Sequence, residues 1–307
     1  MKRRKQSGWT VTGWTAGLAA ALAASIAGAA PASSEAVPAP SPRAILPAPS
    51  ELSGVSSARA ALPDPRDLGA KVFRGWALDT CHTPPLSTLR AWSGSRYRAL
   101  GVYFGGRGRA CPVQPHLTTS WMRGAAALGW HVLPVYVGSQ SPCVRNIDKT
   151  RVPIGAAPWA QGRAEAMDAV ARAKALGMKE RSALYLDMEA YDRSLARCAA
   201  TTLSFIRAWN REVSSQGYFP GFYSSADSGV RHLEQARKAG VDDLPSIVWF
   251  ARWTGRASLH EEPSMARTAW QPHRRIHQYR GNVEVTHGGR TLWIDRNKVD
   301  APVAIVD

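Results

Sequence analysis

Four acidic residues stand directly after short apolar runs of this sequence. Asp79 follows Gly-Trp-Ala-Leu, Asp187 and Glu189 close Ala-Leu-Tyr-Leu, and Asp295 follows Leu-Trp-Ile. Because Asp187 and Glu189 are two residues apart, they share a face if the run is a strand, with backbones roughly 6–7 Å apart. Like charges this close favour the protonated form of one carboxyl, which can then act as a general acid. Paired carboxylates of this kind are what cleavage of a glycosidic bond requires.

The alternative for each acid is a structural role. A strand-end carboxylate can cap a neighbouring helix N-terminus or pair with Arg296, Arg252 or Arg74. A structural role explains a single strand-end acid more readily than a group of four, since burying several carboxylates together is costly. The sequence contains no H-E-x-x-H, G-x-S-x-G or P-loop motif, which argues against a zinc protease, a serine hydrolase and a nucleotide hydrolase. We therefore predict no metal and no cofactor.

Aromatic and polar residues close the other apolar runs. Sugar rings present apolar faces that stack on aromatic side chains, and their hydroxyls take hydrogen bonds from Arg and Gln. The candidate substrate-binding residues are Tyr103, Tyr136, Tyr223, Trp249, Arg252, Trp253 and Gln278.

The elements that must position these residues alternate between strands and helices. Eight apolar runs are predicted strands: 73–78, 100–104, 131–137, 183–188, 219–223, 247–251, 275–279 and 291–294. The clearest helical patterns cover 120–128, 158–176, 199–216 and 229–239. This alternation predicts an α/β fold with a parallel sheet covered by helices, and eight strands fit a (β/α)8 TIM-barrel-like fold, complete or modified. A doubly wound sheet is the runner-up, but no strand–GxGxxG–helix motif is present.

The first seventy residues have a different character. Basic residues 2–5, the apolar stretch from about 11 to 27 and Ala27-Gly28-Ala29 predict a signal peptide over residues 1–30. A membrane anchor is the alternative, although an Ala-rich segment this short is weak for a span. Arg3-Arg4 is typical of a twin-arginine signal, but the following residues fit poorly, so the export route stays open. Residues 31–70 are predicted to be a Pro/Ala/Ser-rich linker, and 71–307 the barrel domain.

The charge is strongly positive, with 39 Lys and Arg against 23 Asp and Glu, or +16. A basic surface suits anionic partners such as nucleic acid, anionic lipid or acidic envelope polymers. No tight basic run follows residue 5, so we expect no nucleic-acid partner. For an exported monomer we expect salt-sensitive attachment to the anionic envelope.

The four cysteines, Cys81, Cys111, Cys143 and Cys198, are widely spaced and contain no C-x-x-C pair. A zinc site needs clustered ligands, whereas an exported protein with an even number of cysteines favours disulfides. Sequence alone allows three pairings.

Several longer motifs carry a family resemblance. They are Gly75-Trp76-Ala77-Leu78-Asp79-Thr80-Cys81, Tyr185-Leu186-Asp187-Met188-Glu189, Gly217-Tyr218 with Gly221-Phe222-Tyr223-Ser224-Ser225, Trp249-Phe250-Ala251-Arg252-Trp253, Ile276-His277-Gln278-Tyr279 and Ile294-Asp295. Over residues 72–307 the chain resembles the exported bacterial glycoside-hydrolase-like family, domain of unknown function 1906. That family is similar in turn to the glycoside hydrolase family 25 lysozymes.

The resemblance implies a modified (β/α) barrel with Glu189 in the place of the lysozymes' general acid. Asp187 would orient the substrate or stabilise the transition state, and Asp79 and Asp295 would be supporting carboxylates. For N-acetyl sugars, the Asp-x-Glu pair would also suit substrate-assisted catalysis, with Asp187 holding the acetamido group.

On such a barrel the four cysteines follow strands one to four in turn. Because neighbouring loops are closest, we predict the pairs Cys81–Cys111 and Cys143–Cys198. The leading hypothesis is an exported enzyme that cleaves a carbohydrate polymer of the cell envelope, such as peptidoglycan. The alternative is a carbohydrate-binding or envelope-maintenance protein that keeps the pocket without turnover.

Overall fold

The structure, a computed structural model, describes residues 62–307. The predicted signal peptide and the predicted linker up to residue 61 lie outside the described residues. At the end of the predicted linker, the carbonyl of Pro63 accepts a hydrogen bond of 2.6 Å from the Arg274 guanidinium, and that of Leu68 accepts one from Arg181. Residues 63 and 68 are thus in contact with the barrel.

Eight strands close a barrel in chain order, as the alternation predicts. The strands are β1 (Val72–Asp79), β2 (Tyr97–Gly105), β3 (His131–Tyr136), β4 (Ala183–Asp187), β5 (Phe219–Ser225), β6 (Ile247–Ala251), β7 (Arg275–His287) and β8 (Arg290–Pro302). The helices are α1 (Leu86–Ala91), α2 (Thr119–Ala127), α3 (Pro158–Ala175), α4 (Ala196–Ser215) and α5 (Arg231–Lys238). A single π-helical turn, Ala226–Val230, leads into α5.

Strand β8 departs from the predicted parallel sheet because it runs antiparallel to both β7 and β1. Only Gly288 and Gly289 separate β7 from β8, and both have positive φ, 53° and 70°. A parallel partner needs a crossover of about a dozen residues, whereas two residues with positive φ close a hairpin. The predicted run 291–294 is therefore the start of a 13-residue strand.

The strands alternate between two apolar layers. Inside the barrel pack Ala77, Ala99, Leu133, Val135, Tyr185, Ile247, Trp249, Ile276 and Val299. The alternate residues face the helices. The helix α4 turns Ile206, Trp209 and Val213, which are fully buried, and Leu203, which is partly buried, toward this outer layer. This alternation decides which strand-end side chains point into the mouth of the barrel and which point away from it.

No helix connects β6 and β7. The buried guanidinium of Arg275 instead holds residues 252–274 by hydrogen bonds to the carbonyls of Leu259, Ala266 and Ala269. Burial lowers the pKa of Arg275 to about 10, so it remains a cation at neutral pH. The four loop carbonyls that accept from it, Arg267 included, replace the water it has lost.

The two disulfides have the predicted pairing. Cys81 is bonded to Cys111, with 5.7 Å between their Cα atoms, and Cys143 is bonded to Cys198, with 6.1 Å. Each bond joins segments that follow neighbouring strands: the loops after β1 and β2 for the first, and the loop after β3 and the first turn of α4 for the second.

Candidate active site at the mouth of the barrel

The four predicted acids lie at one end of the barrel. Asp79 and Asp187 are the last residues of β1 and β4, and Glu189 follows Asp187 by two residues. Asp295 is in the middle of β8, not at a strand end as predicted, but its register partner is Asp79. This pairing places Asp295 at the mouth where β1 ends, although Asp295 lies inside its own strand.

Asp79 is buried and accepts three hydrogen bonds. Tyr103 Oη donates to Oδ1 at 2.9 Å, while Asn297 Nδ2 and Gln278 Nε2 donate to Oδ2 at 2.8 and 3.1 Å. Burial raises the pKa of Asp79, against the lowering by these three donors. Space for the carboxylate comes from Gly101 on β2, where a Cβ would lie 2.5 Å from Asp79 Cβ.

Gln278 connects most of the site through a single amide. Its Nε2 donates to Asp79 and, at 3.3 Å, to Asp295. Its Oε1 accepts from Tyr223 Oη at 3.0 Å and from Trp253 Nε1 at 2.9 Å. These bonds use the full capacity of the amide and fix its orientation.

Asp187 is buried, and its Oδ1 has no hydrogen-bond partner among the described residues. Burial raises the pKa of Asp187 to about 8, and the charge of Glu189 adds to the rise, while the Lys149 ammonium opposes it. Asp187 therefore keeps its proton at neutral pH. The unpartnered oxygen of this neutral carboxyl can form a hydrogen bond with a ligand at the mouth of the barrel.

Glu189 is the more accessible of the pair, with 29% of its side chain exposed. Its Oε1 lies 3.7 Å from Nζ of Lys149, a buried residue that also donates to the carbonyl of Gly108 at 2.8 Å. The buried amide of Gln140 holds the backbone here, since its Oε1 accepts from Glu189 N at 2.8 Å and its Nε2 donates to Asp187 O at 2.9 Å. Gln140, which lies in the loop after β3, thus holds the backbone of the segment Asp187-Met188-Glu189 in place.

Asp295 accepts a hydrogen bond of 2.7 Å from the backbone N–H of Asn282. Burial raises the pKa of Asp295 to about 7, and the charge of Asp79 adds to the rise, while Asn282 opposes it. Asp79, Asp187 and Asp295 form no ion pair among the described residues, so Arg296, Arg252 and Arg74 do not neutralise them. Glu189 alone of the four acids has a cationic partner, Lys149.

The predicted substrate-binding aromatics divide between the two faces of the strands. Tyr103 and Tyr223 point into the mouth, where their hydroxyls hold Asp79 and Gln278. Tyr136 instead lies on the helix side, where it packs on Phe104 and donates to Asp168 of α3 at 2.8 Å. The position of Tyr136 corrects its proposed role, because its ring cannot reach a molecule in the mouth.

Trp249 needs a similar correction. Its side chain is 1% exposed, stands edge-on to Tyr185 and Tyr223 inside the barrel, and donates to Asn297 Oδ1 at 2.8 Å. It supports the floor of the site but offers no free face to a sugar. Sequence alone could not distinguish it from Trp253, which has the same parity on β6 but lies beyond the strand end.

Trp253 is half exposed at the mouth, and its ring covers Gly281 so closely that no Cβ fits there. Arg252, in contrast, is engaged by carboxylates: Nε donates to Glu262 at 2.6 Å and Nη1 to Asp227 at 2.9 Å. These bonds raise the pKa of Arg252 and leave the guanidinium committed to protein partners. Trp253 is therefore the better placed of the two for a sugar ring.

Three residues of the site escaped the sequence analysis. Asn297 stands two residues after Asp295, so the strand alternation Asp-Arg-Asn was a signal that it shares the inner face. Gln140 and Lys149 come from the long loop between β3 and α3, where no periodicity predicts position. Among the described residues, no three His, Cys, Asp or Glu side chains are grouped so as to hold a metal ion.

No helix in residues 62–307 has the length and apolar character that a membrane span requires.

A closed barrel with several carboxyls at one mouth is the arrangement that glycoside-hydrolase-like proteins share. Within that class, residues 90–299 match the family described as "Rv2525c-like, glycoside hydrolase-like domain", and the chain belongs to this family. This agrees with the resemblance found in the motifs. No protein of curated function matches the sequence.

Two solved structures illustrate the similarity of fold. The Mycobacterium tuberculosis Tat-secreted protein Rv2525c, solved in complex with L-tartrate, is 18% identical with a TM-score of 0.51, over 74% of this chain and 96% of that one. The Clostridium perfringens spore cortex lytic enzyme SleM is 12% identical with a TM-score of 0.50, over 74% of this chain and 67% of that one. At such identities the likeness concerns the fold alone.

Proposed function

We propose that this protein is exported and cleaves a glycosidic bond in a cell-envelope glycan such as peptidoglycan. The observation that carries the proposal is the pairing of Asp187 with Glu189 at the end of β4. One carboxyl is buried with an unpartnered oxygen, and the other is partly exposed two residues away. The family description and the spore cortex lytic function of SleM support a glycan substrate.

In this proposal the protonated form of Glu189 donates its proton to the oxygen of the leaving sugar as the bond from that oxygen to C1 breaks. Asp187 holds the acetamido group of an N-acetyl sugar, so that the carbonyl oxygen of this acetamido group forms the new bond to C1. Water then attacks C1 as the bond from C1 to the acetamido oxygen breaks, and it gives a proton back to Glu189, which restores the acid. Asp79 and Asp295, fixed by Gln278, serve as supporting carboxylates.

The variant Glu189→Gln tests this role. The amide keeps the shape of the side chain but has no acidic proton, so we expect release of reducing ends from purified cell walls to fall by at least about 100-fold. Binding to the same walls should persist. Glu180→Gln, which removes an exposed carboxylate after α3, is the matched control. Undiminished release by Glu189→Gln would refute the assignment of Glu189 as the acid.

A second candidate is a carbohydrate-binding or envelope-maintenance protein without turnover. The ion pair between Lys149 and Glu189 favours it, because a general acid must present its proton to a leaving group while this carboxyl faces an ammonium. If the wild type binds cell walls and chitooligosaccharides but releases nothing from either, the binding function replaces the hydrolase.

The proposed location is extracellular, in association with the envelope. Rv2525c is a Tat-secreted protein, which supports export for a member of the same family. A net charge of +16 favours attachment to anionic envelope polymers, and such attraction weakens as salt is added.

A further inference from the structure

A cluster of basic residues lies over the outer face of β1 and β8, the face opposite to the one that carries Asp79 and Asp295. On this face Trp76, Arg296 and Lys298 remain partly exposed. We define the Trp76 cluster as four bases around two aromatic rings: Arg96, Arg280, Arg296 and Lys298 with Trp76 and Tyr279.

Two of the cations share one aromatic ring. The Arg96 guanidinium lies 4.0 Å from the centroid of the Trp76 ring, and Lys298 Nζ lies 4.3 Å from it. Arg96 also donates to Tyr279 Oη at 2.7 Å, and the Tyr279 ring meets Trp76 edge-on at 5.8 Å. Cation–π contacts hold the two positive charges in place without neutralising either of them.

The other two cations face each other across the β7–β8 ladder. Arg280 is the register partner of Arg296, an arrangement of like charges that destabilises a sheet. Arg296 Nε is buried without a hydrogen-bond partner. The two halves of the cluster meet on β8, where Arg296 and Lys298 are two residues apart and therefore share one face of the strand.

No carboxylate neutralises the cluster. Within the part of the chain that the structure describes, none of its four bases forms an ion pair, whereas Arg252 nearby engages two acids. The adjacent Arg74 is paired with Asp300 at 3.5 Å. Four uncompensated charges on one face, two of them directly opposed, form a site for a multivalent anion.

We propose that the Trp76 cluster binds a linear phosphodiester polymer of the cell envelope. Guanidinium groups match phosphate oxygens in a bidentate manner, and successive phosphates along one chain can neutralise several cations together. Single-stranded nucleic acid also needs open aromatic faces on which its bases stack. Arg96 and Lys298 occupy the Trp76 ring, so the cluster favours a phosphodiester chain without bases. This proposal deepens the electrostatic attachment proposed above and does not depend on hydrolysis.

The test measures affinity of the full chain for poly(glycerol phosphate) over a range of salt concentrations. We expect the variant Arg96→Gln/Arg280→Gln/Arg296→Gln/Lys298→Gln to bind at least about tenfold more weakly at low salt. Its slope of log affinity against log salt should be smaller by roughly 3, since each neutralised phosphate contributes about 0.7. If this variant fails to fold, the double variant Arg280→Gln/Lys298→Gln keeps the Arg96–Tyr279 hydrogen bond and should show about half of that reduction in slope.

The matched control removes the same charge elsewhere. Lys71, Arg123, Arg197 and Arg267 are exposed, form no ion pair in the described chain and lie outside the cluster. Their replacement by Gln should leave affinity and slope nearly unchanged. An equal loss in the control would show that net charge alone matters and would overturn the proposal. Equal affinity of the wild type for single-stranded DNA or for anionic lipid vesicles, or no binding to poly(glycerol phosphate), would also overturn it.

Discussion

Asp79 and Asp295 face each other as register partners of β1 and β8, and one amide, that of Gln278, donates to both carboxyls. A buried acid and a half-buried acid at neighbouring positions would repel each other if both were charged. The bridging amide, together with the raised pKa of each acid, allows them to remain side by side. The supporting part of the site is therefore a stable polar network rather than a pair of free charges.

Replacement of Gln278 by Leu should break this network. The change leaves Tyr223 Oη and Trp253 Nε1 without their acceptor and removes a donor from each acid, so we expect a loss of about 2–3 kcal/mol in the free energy of unfolding. Urea denaturation measures it. Gln216→Met, which removes a single bond to Glu212 within one helix, should cost far less, and equal losses would contradict the bridging role.

Asp187 should make stability depend on pH. The folded protein holds its proton up to about pH 8, whereas the unfolded chain releases it near pH 4. Between these values the folded state binds more protons, so the free energy of unfolding falls as pH rises, by at most about 1.4 kcal/mol per pH unit. Below both pKa values this contribution no longer changes with pH.

The variant Asp187→Asn should remove this part of the decline and leave the parts contributed by Asp295, up to about pH 7, and by Asp79, whose pKa is also raised. Urea denaturation at several pH values measures the difference. Asp192→Asn is a useful comparison, because hydrogen bonds from Ser194 lower the pKa of Asp192 and its contribution has the opposite sign. Parallel pH profiles for wild type and Asp187→Asn would contradict a buried protonated Asp187.

The strands and most of the helices could be predicted because apolar periodicity is a local property. β6 was predicted to the residue, and α3 to within one residue of its end. The direction of β8 was missed although its signal was present, since Gly288-Gly289 between two alternating runs is typical of a hairpin. The predicted position of Asp295 at the mouth does not depend on the direction of β8, because Asp295 is the register partner of Asp79 on β1.

The candidate site could be predicted only where strand ends define it. Tyr136 and Trp249 were predicted to line the mouth because they lie near strand ends. Tyr136 is on the face of β3 that packs against α3, and Trp249 is buried inside the barrel beneath the site. Gln140 and Lys149 reach Asp187 and Glu189 from an irregular loop, whose path depends on tertiary contacts rather than on a repeating pattern. Such contacts cannot be obtained from spacing along the chain.

Gly101 should tolerate no side chain. A Cβ at this position would lie 2.5 Å from Asp79 Cβ and 3.1 Å from the Trp249 ring. We expect Gly101→Ala to cost about 1–3 kcal/mol in the free energy of unfolding and to displace Asp79 from its donors. Gly94→Ala is the control, since a Cβ there meets nothing within 4 Å. Urea denaturation compares the two, and similar stabilities would contradict the close packing around Asp79.

The two disulfides should differ modestly in their contribution to stability. The Cys143–Cys198 bond closes 55 residues and the Cys81–Cys111 bond closes 30. In the chain-entropy account, each constrains the unfolded state by about 4 kcal/mol, the longer loop by roughly 0.5 kcal/mol more. Paired Cys→Ser variants measured by urea denaturation test this. Peptide mapping of the non-reduced protein that finds any other pairing would contradict the strand-order argument.

Trp253 should be the main apolar contact for a sugar. Its ring is 51% exposed at the mouth, and its N–H is tied to Gln278, so the ring is held in place before a ligand arrives. We expect Trp253→Ala to weaken binding of chitotetraose about tenfold, as measured by calorimetry, and Trp253→Phe to weaken it less. Trp159→Ala serves as the control, because this Trp is 38% exposed but lies beside Arg207 of α4. If Trp253→Ala binds chitotetraose as tightly as the control does, the sugar does not stack on Trp253.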